Sequence, residues 1–168
     1  LADKGGGSGT SSSRVLIGSL VISALGLVFG SSLIVAGSAL TWRSDRILGL
    51  YNQSGWSFHH VISGDGKVTM ALGVIMAVGI VIGFALQSRA EYAVACVADL
   101  LVLGFALYEL IYLFTRQGVV SPGNGLYMVL GGSVAGFLCT LGGYLMMTEK
   151  HREAHDALSA AAVLSEAP

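Results

Sequence analysis

Charge is what this sequence has least of. Only 11% of its 168 residues are Asp, Glu, Lys or Arg, against about 25% in a soluble domain. Net charge is −1, so there is no basic field, and a nucleic-acid partner is excluded. Cysteine is scarce too. Cys96 and Cys139 both fall inside long apolar runs and read as small packing residues rather than a disulfide or metal pair. No Lys, Arg or His lies inside any such run. A b-type cytochrome needs axial imidazoles there, so it is excluded. Motifs for phosphate binding, dinucleotide binding or a covalent nucleophile are missing. Gly5-Gly6-Gly7 is not a phosphate loop, because no Gly-Lys-Ser/Thr follows it. The expectation is a non-enzymatic protein with no cofactor and no metal.

What is present is hydrocarbon. The chain is 54% hydrophobic with a mean hydropathy of +0.74. Its apolar residues come in runs, not amphipathic stripes. A bilayer core of about 30 Å needs roughly 20 consecutive apolar residues in a helix. Residues 15–40, 68–86, 92–114 and 126–147 meet that requirement. Residues 14–148 are therefore predicted to be an all-α integral membrane domain, a four-transmembrane-helix up-down bundle. Residues 1–13 are Gly/Ser-rich and predict a flexible tail. Residues 149–168 predict a polar, partly helical tail. Leu1 is not a start methionine, so the chain is expected to be trimmed or processed. Ala36-Gly37-Ser38 resembles a signal-peptidase site, but the preceding apolar run exceeds the usual length of about 7–15 residues. A retained first helix is expected.

The first connection, residues 41–66, is long, and the other two are short. It carries His59-His60 with Trp42, Tyr51, Trp56 and Phe58. Such rings favour the headgroup region, so this loop is expected to lie on the membrane surface. Trp42, Trp56, Arg43 and Arg46 are candidate interfacial residues. Positive charge is nearly balanced between the two sides. Arg89 in the shortest turn and Lys150 with Arg152 after the last span favour cytoplasmic termini. The expected location is the plasma or inner membrane, multi-pass.

Gly64-Asp65-Gly66 opens the second span and Gly123-Asn124-Gly125 the fourth. Asp and Asn both cap helix N-termini. At the same offset Gly73 meets Gly132, Ala77 meets Gly136, and Gly83 meets Gly142. A duplicated helical hairpin and chance alignment among 24 glycines both account for this pattern. Gly26/Gly30, Gly79/Gly83 and Gly132/Gly136 are Gly-x-x-x-Gly pairs, which bring helix backbones close in lipid. They serve either packing within the bundle or docking of another protein's helix.

Asp99 is the sharpest chemical signal. A carboxyl at membrane depth is costly and is a functional candidate by default. Three readings stay open. It is a protonated carboxyl bonded to Ser19, Ser23, Thr140, Tyr144 or a backbone carbonyl; it pairs with a base on a partner subunit; or it handles protons or cations. Glu109 follows ten positions later, about 80° around the helix, so the two form no acid/base dyad. Glu109 is expected to pair with Arg43, Arg46 or Arg116. His151 and His155 are one turn apart and are weak metal candidates, but His-x-Glu-x-His is not the zinc-protease motif.

Gly64-Asp65-Gly66-Lys67 and Gly123-Asn124-Gly125-Leu126-Tyr127, each followed by a Gly-rich apolar run, resemble the small four-span membrane proteins of actinobacteria. The resemblance covers roughly residues 15–148 and implies topology rather than activity. The expected function is an accessory or structural subunit of a larger bacterial membrane complex. Its partners would be membrane lipids and other integral membrane subunits, docked through the glycine faces. The alternative is a small homo-oligomeric transporter or channel that uses Asp99.

Overall fold

A computed structural model describes residues 9–45, 52–57, 65–115 and 120–165. The chain is mostly helical. Its first helix runs as α1 (Gly9–Leu25), a wide π turn (Gly26–Ser31) and α2 (Ser32–Ala39). Next come α3 (Asp65–Leu86), α4 (Arg89–Thr115) and α5 (Asn124–Ser165). Four helical stretches, Leu16–Ala39, Asp65–Leu86, Arg89–Thr115 and Asn124–Ala162, are long and apolar enough to cross a membrane. Helix begins at Gly9, inside the stretch expected to be a tail.

Residues pair in opposite chain directions where neighbouring helices touch. A Cβ built on Gly143 would meet Tyr92, and one on Gly136 would meet Asp99, so α4 and α5 run past each other head to tail. The first helix meets α5 in the same sense, Gly18 against Met146 and Gly37 against Met128. It meets α3 likewise, with Gly26 against Ile80 and Gly73 against Ile34.

The interior mixes small and polar residues with larger apolar ones such as Ile34, Met76, Ile80, Tyr92 and Leu126, while the exterior is large and aliphatic. Ala95, Ala98 and Ala106 are buried with Ser23, Ser38, Thr69, Ser133 and Thr140. Leu16, Val28, Val81, Val97, Ile111 and Leu138 are exposed. This is the arrangement expected in lipid, where small residues allow close backbone packing and apolar burial drives little. The π turn contributes by burying Gly26, Gly30 and Ser31 together.

The α3–α4 turn is set by Gln87, a non-glycine residue in the left-handed region at φ 51°. Its side chain offsets that cost by donating to Phe84 O at 2.8 Å. Ser88 then caps α4, its Oγ accepting from Ala90 N at 3.3 Å.

The expected first loop is corrected in part. Residues 41–66 contribute two strands, β1 (Thr41–Asp45) and β2 (Asn52–Ser54), and the last connection contributes β3 (Val120–Pro122). They form an antiparallel sheet in the order β2-β1-β3. The β1–β2 register slips between Thr41 and Arg43. That bulge re-aims Trp42, which is completely buried instead of presented at the surface. Its Nε1 donates to Gly37 O at 2.9 Å. Backbone bonds close this end: Gly55 N to Leu40 O at 2.9 Å, Gly66 N to Gly55 O at 2.8 Å, and Gly123 N to Trp42 O at 2.8 Å. The sheet lashes the first and last connections to the end of α2.

Candidate functional site

α4 turns one face inward. Tyr92, Ala95, Ala98, Asp99, Val102, Ala106, Glu109 and Leu113 are its buried residues, and Ala98 apart they follow one another at alternating steps of three and four. Asp99 is therefore enclosed by this chain's own helices and has no exposed surface. Gly136 of α5 makes the room. A Cβ there would lie 2.6 Å from Asp99 Oδ1, 3.0 Å from Oδ2 and 2.6 Å from Met76 Cε. Gly30 closes the other side of Gly136 and is itself backed by Met76.

Of the partners expected for Asp99, Thr140 is at hydrogen-bond distance, with its Oγ1 3.3 Å from Oδ2. The same hydroxyl lies 3.0 Å from Gly136 O and 3.2 Å from Phe137 O. A hydroxyl has one proton and two lone pairs. The single Thr140 proton is therefore shared among Asp99 Oδ2 and the two carbonyls of its own helix. Asp99 Oδ1 has no hydrogen-bond partner among the described residues. Ser19 donates instead to Leu16 O, and Ser23 pairs with Tyr92 OH at 2.6 Å.

The Thr140 contact is testable by a double-mutant cycle with Asp99→Ala and Thr140→Val, read by reversible unfolding in mixed micelles. We expect a coupling of about 0.6 to 1.7 kcal/mol, the range for interhelical bonds in membranes. Coupling indistinguishable from zero would leave Thr140 bonded only to its own helix.

Glu109 is wholly buried on the same face, about 15 Å along the axis from Asp99. Arg43 is half-buried on β1, while Arg46, Arg116, His59 and His60 lie outside the described residues. Trp56 is exposed. His151 and His155 are exposed on α5, and no group of three metal-ligating side chains occurs among the described residues. Cys96 and Cys139 are free and half-buried.

All six singled-out glycines face neighbouring helices of this chain. Gly26 meets Cys139 and Ile80; Gly79 meets Ala95; Gly83 meets Tyr92; Gly132 meets Gly30 O and Leu33; Gly30 and Gly136 meet each other. Gly104 and Gly131 instead face outward, with nothing near them. The corresponding glycines of α3 and α5, Gly73 and Gly132, close on Ile34 from two sides.

Sequence reasoning missed two buried polar pairs. One is Ser23 with Tyr92, whose ring lies on Gly83 and Gly143. The other is Ser38 with Thr69 at 2.8 Å, where α2 ends and α3 begins. The available signal was a polar residue facing glycines at helical spacing. Against known proteins, the chain matches no family model, no curated protein and no solved structure.

Proposed function

We propose that this protein is a multi-pass protein of a bacterial inner membrane, an up-down bundle of four spans with both termini cytoplasmic, serving as a non-enzymatic accessory subunit of a larger membrane complex. One observation carries this reading. α5 does not stop at the end of its apolar stretch but continues as unbroken helix to Ser165. The part beyond residue 148 adds about 25 Å, and residues 149–162 are exposed throughout. Lys150 Nζ donates to Gln87 Oε1 at 3.2 Å, fixing the base of this extension. Ala154, Leu158 and Ala161 recur at steps of four and three along it, and Leu158 is 73% exposed. Short isolated helices are marginal in water, and most helical stability comes from packing an apolar face. Such a stripe suits docking to a second helix. The glycine pairs are occupied within the chain, so the docking role passes from them to this extension.

Gentle extraction followed by mass spectrometry tests the reading. We expect stoichiometric companions with the wild-type chain, and their loss with Leu158→Asp while the helical content is unchanged. Companions that survive Leu158→Asp would remove the extension from the docking role. A homogeneous homo-oligomer without companions would favour the transporter or channel. The lone Oδ1 of Asp99 supports that second reading, and there Asp99→Asn should abolish flux with the fold intact.

A further inference from the structure

The outer surface between α3 and α4 holds a groove of about 340 Å³, lined by Val74, Val78, Gly79, Ile82 and Val94 among others, with Glu91 at one end. Gly79 forms its floor, since a Cβ there would lie 3.1 Å from Ala95 Cβ and from Glu91 O. From Val74 to Ile82 the groove runs about 12 Å along α3. One leaflet of the hydrocarbon core is about 15 Å deep. The Glu91 end lies beside the Gln87–Ser88 turn, where α3 and α4 reach the membrane surface. The groove thus follows a single leaflet from headgroup level inward, whereas a partner's spanning helix would need a groove through both.

Glu91 lies in the first turn of α4, where the helix N-terminus favours an acid, but its carboxylate is not tied down by a capping bond. Ser88 and Glu91 have the spacing of a capping box, in which the acid would accept from the Ser88 backbone N–H. That N–H instead donates to Gly83 O at 3.1 Å. Glu91 Oε2 is buried with no hydrogen-bond partner among the described residues. Glu91 as a whole is half-buried, so this one oxygen is left without a donor while the group stays within reach of the headgroup region. The last torsion of a Glu side chain is soft, so the group turns into the groove readily. It calls for a cation carrying N–H donors at headgroup depth.

We propose that this groove binds one acyl chain of an aminophospholipid, whose primary ammonium donates to Glu91. Arg89, exposed at the start of α4, adds a positive charge near the same end of the groove, and a lipid phosphate can meet it there. A choline headgroup carries no N–H and cannot make the Glu91 bond. The inference rests on the membrane reading above.

The full chain is reconstituted into vesicles of equal phosphatidylethanolamine and phosphatidylcholine, floated, extracted, and its retained lipids weighed by native mass spectrometry. We expect ethanolamine lipid to be retained over choline lipid about tenfold, the worth of one charge-assisted bond. Glu91→Gln should bring the ratio close to unity, while Glu149→Gln on the exposed end of α5 should leave it unchanged. Val78→Phe should fill the groove and lose the retained lipid altogether. Flotation with no headgroup preference, or a preference that survives Glu91→Gln, overturns the site and leaves the membrane reading standing. Failure to float overturns both.

Discussion

Gly30→Val should destabilise the bundle by about 3 kcal/mol or more, the upper end for overpacking, while Gly104→Val should cost almost nothing. A Cβ on Gly30 would lie 2.5 Å from Met76 Cε, 2.7 Å from Gly136 Cα and 3.1 Å from Gly136 N. Met76 ends in a flexible thioether that can move aside. The Gly136 backbone cannot, because shifting it drives α5 against Asp99 on its other side. Close-packed interiors transmit such displacements instead of absorbing them. At Gly104 nothing lies within 4 Å. Thermal unfolding in detergent, followed by circular dichroism, should separate the two variants widely. Met76→Ala should not rescue Gly30→Val. Full rescue would mean that the side chain alone sets the limit and that the two backbones have room.

The Gly30–Gly136 contact also shows how far the sequence could be read. The number of long apolar helices was legible because runs of about 20 apolar residues have few alternative fates. Asp99 was legible because its chemistry is out of place in such a run. The direction of the glycine pairs was not. Spacing marks a small-residue face but says nothing about which helix comes to it, since own and foreign helices use the same geometry. The facing of Asp99 and Glu109 was hidden for a related reason. In α3 and α4 the apolar residues cover every side, so no hydrophobic stripe distinguishes inside from outside.

The sheet was hidden more deeply. Its strands, Thr41–Asp45, Asn52–Ser54 and Val120–Pro122, are too short and too polar to show alternation. β1 and β2 pair within the first connection across residues that carry no strand pattern, and β3 joins them from a connection far along the chain, as Ser44 with Ser121. Non-local pairing leaves no local periodicity to detect. The burial of Trp42 was hidden for the same reason. An aromatic residue just beyond a span normally suggests the interface, and only the bulge in β1 turns it inward.

Trp42 should accordingly be the most costly side chain to remove from this end of the molecule. Trp42→Ala is expected to lose about 3 to 5 kcal/mol, the range for deleting a fully buried large aromatic residue. Two effects add. The ring fills the space against Gly55, where a Cβ would lie 2.6 Å from Nε1, and its indole N–H satisfies Gly37 O. Without it that carbonyl keeps only the Leu40 N–H, at 3.2 Å, so the lost bond adds its own net worth to the cost. Trp42→Phe separates the two by keeping most of the ring and losing the N–H; about 1 to 2 kcal/mol is expected. Amide hydrogen exchange reads the consequence directly. The N–H groups of Gly55, Gly66 and Gly123 hold the cap together, and all three should exchange faster in Trp42→Ala, while Ala95 and Ala98 in the middle of α4 keep their protection. Faster exchange along α4 as well would mean that the cap and the helices open as one cooperative unit. Unchanged exchange at the three glycines would mean that the sheet holds without the indole, and Trp42 would be reduced to filling space.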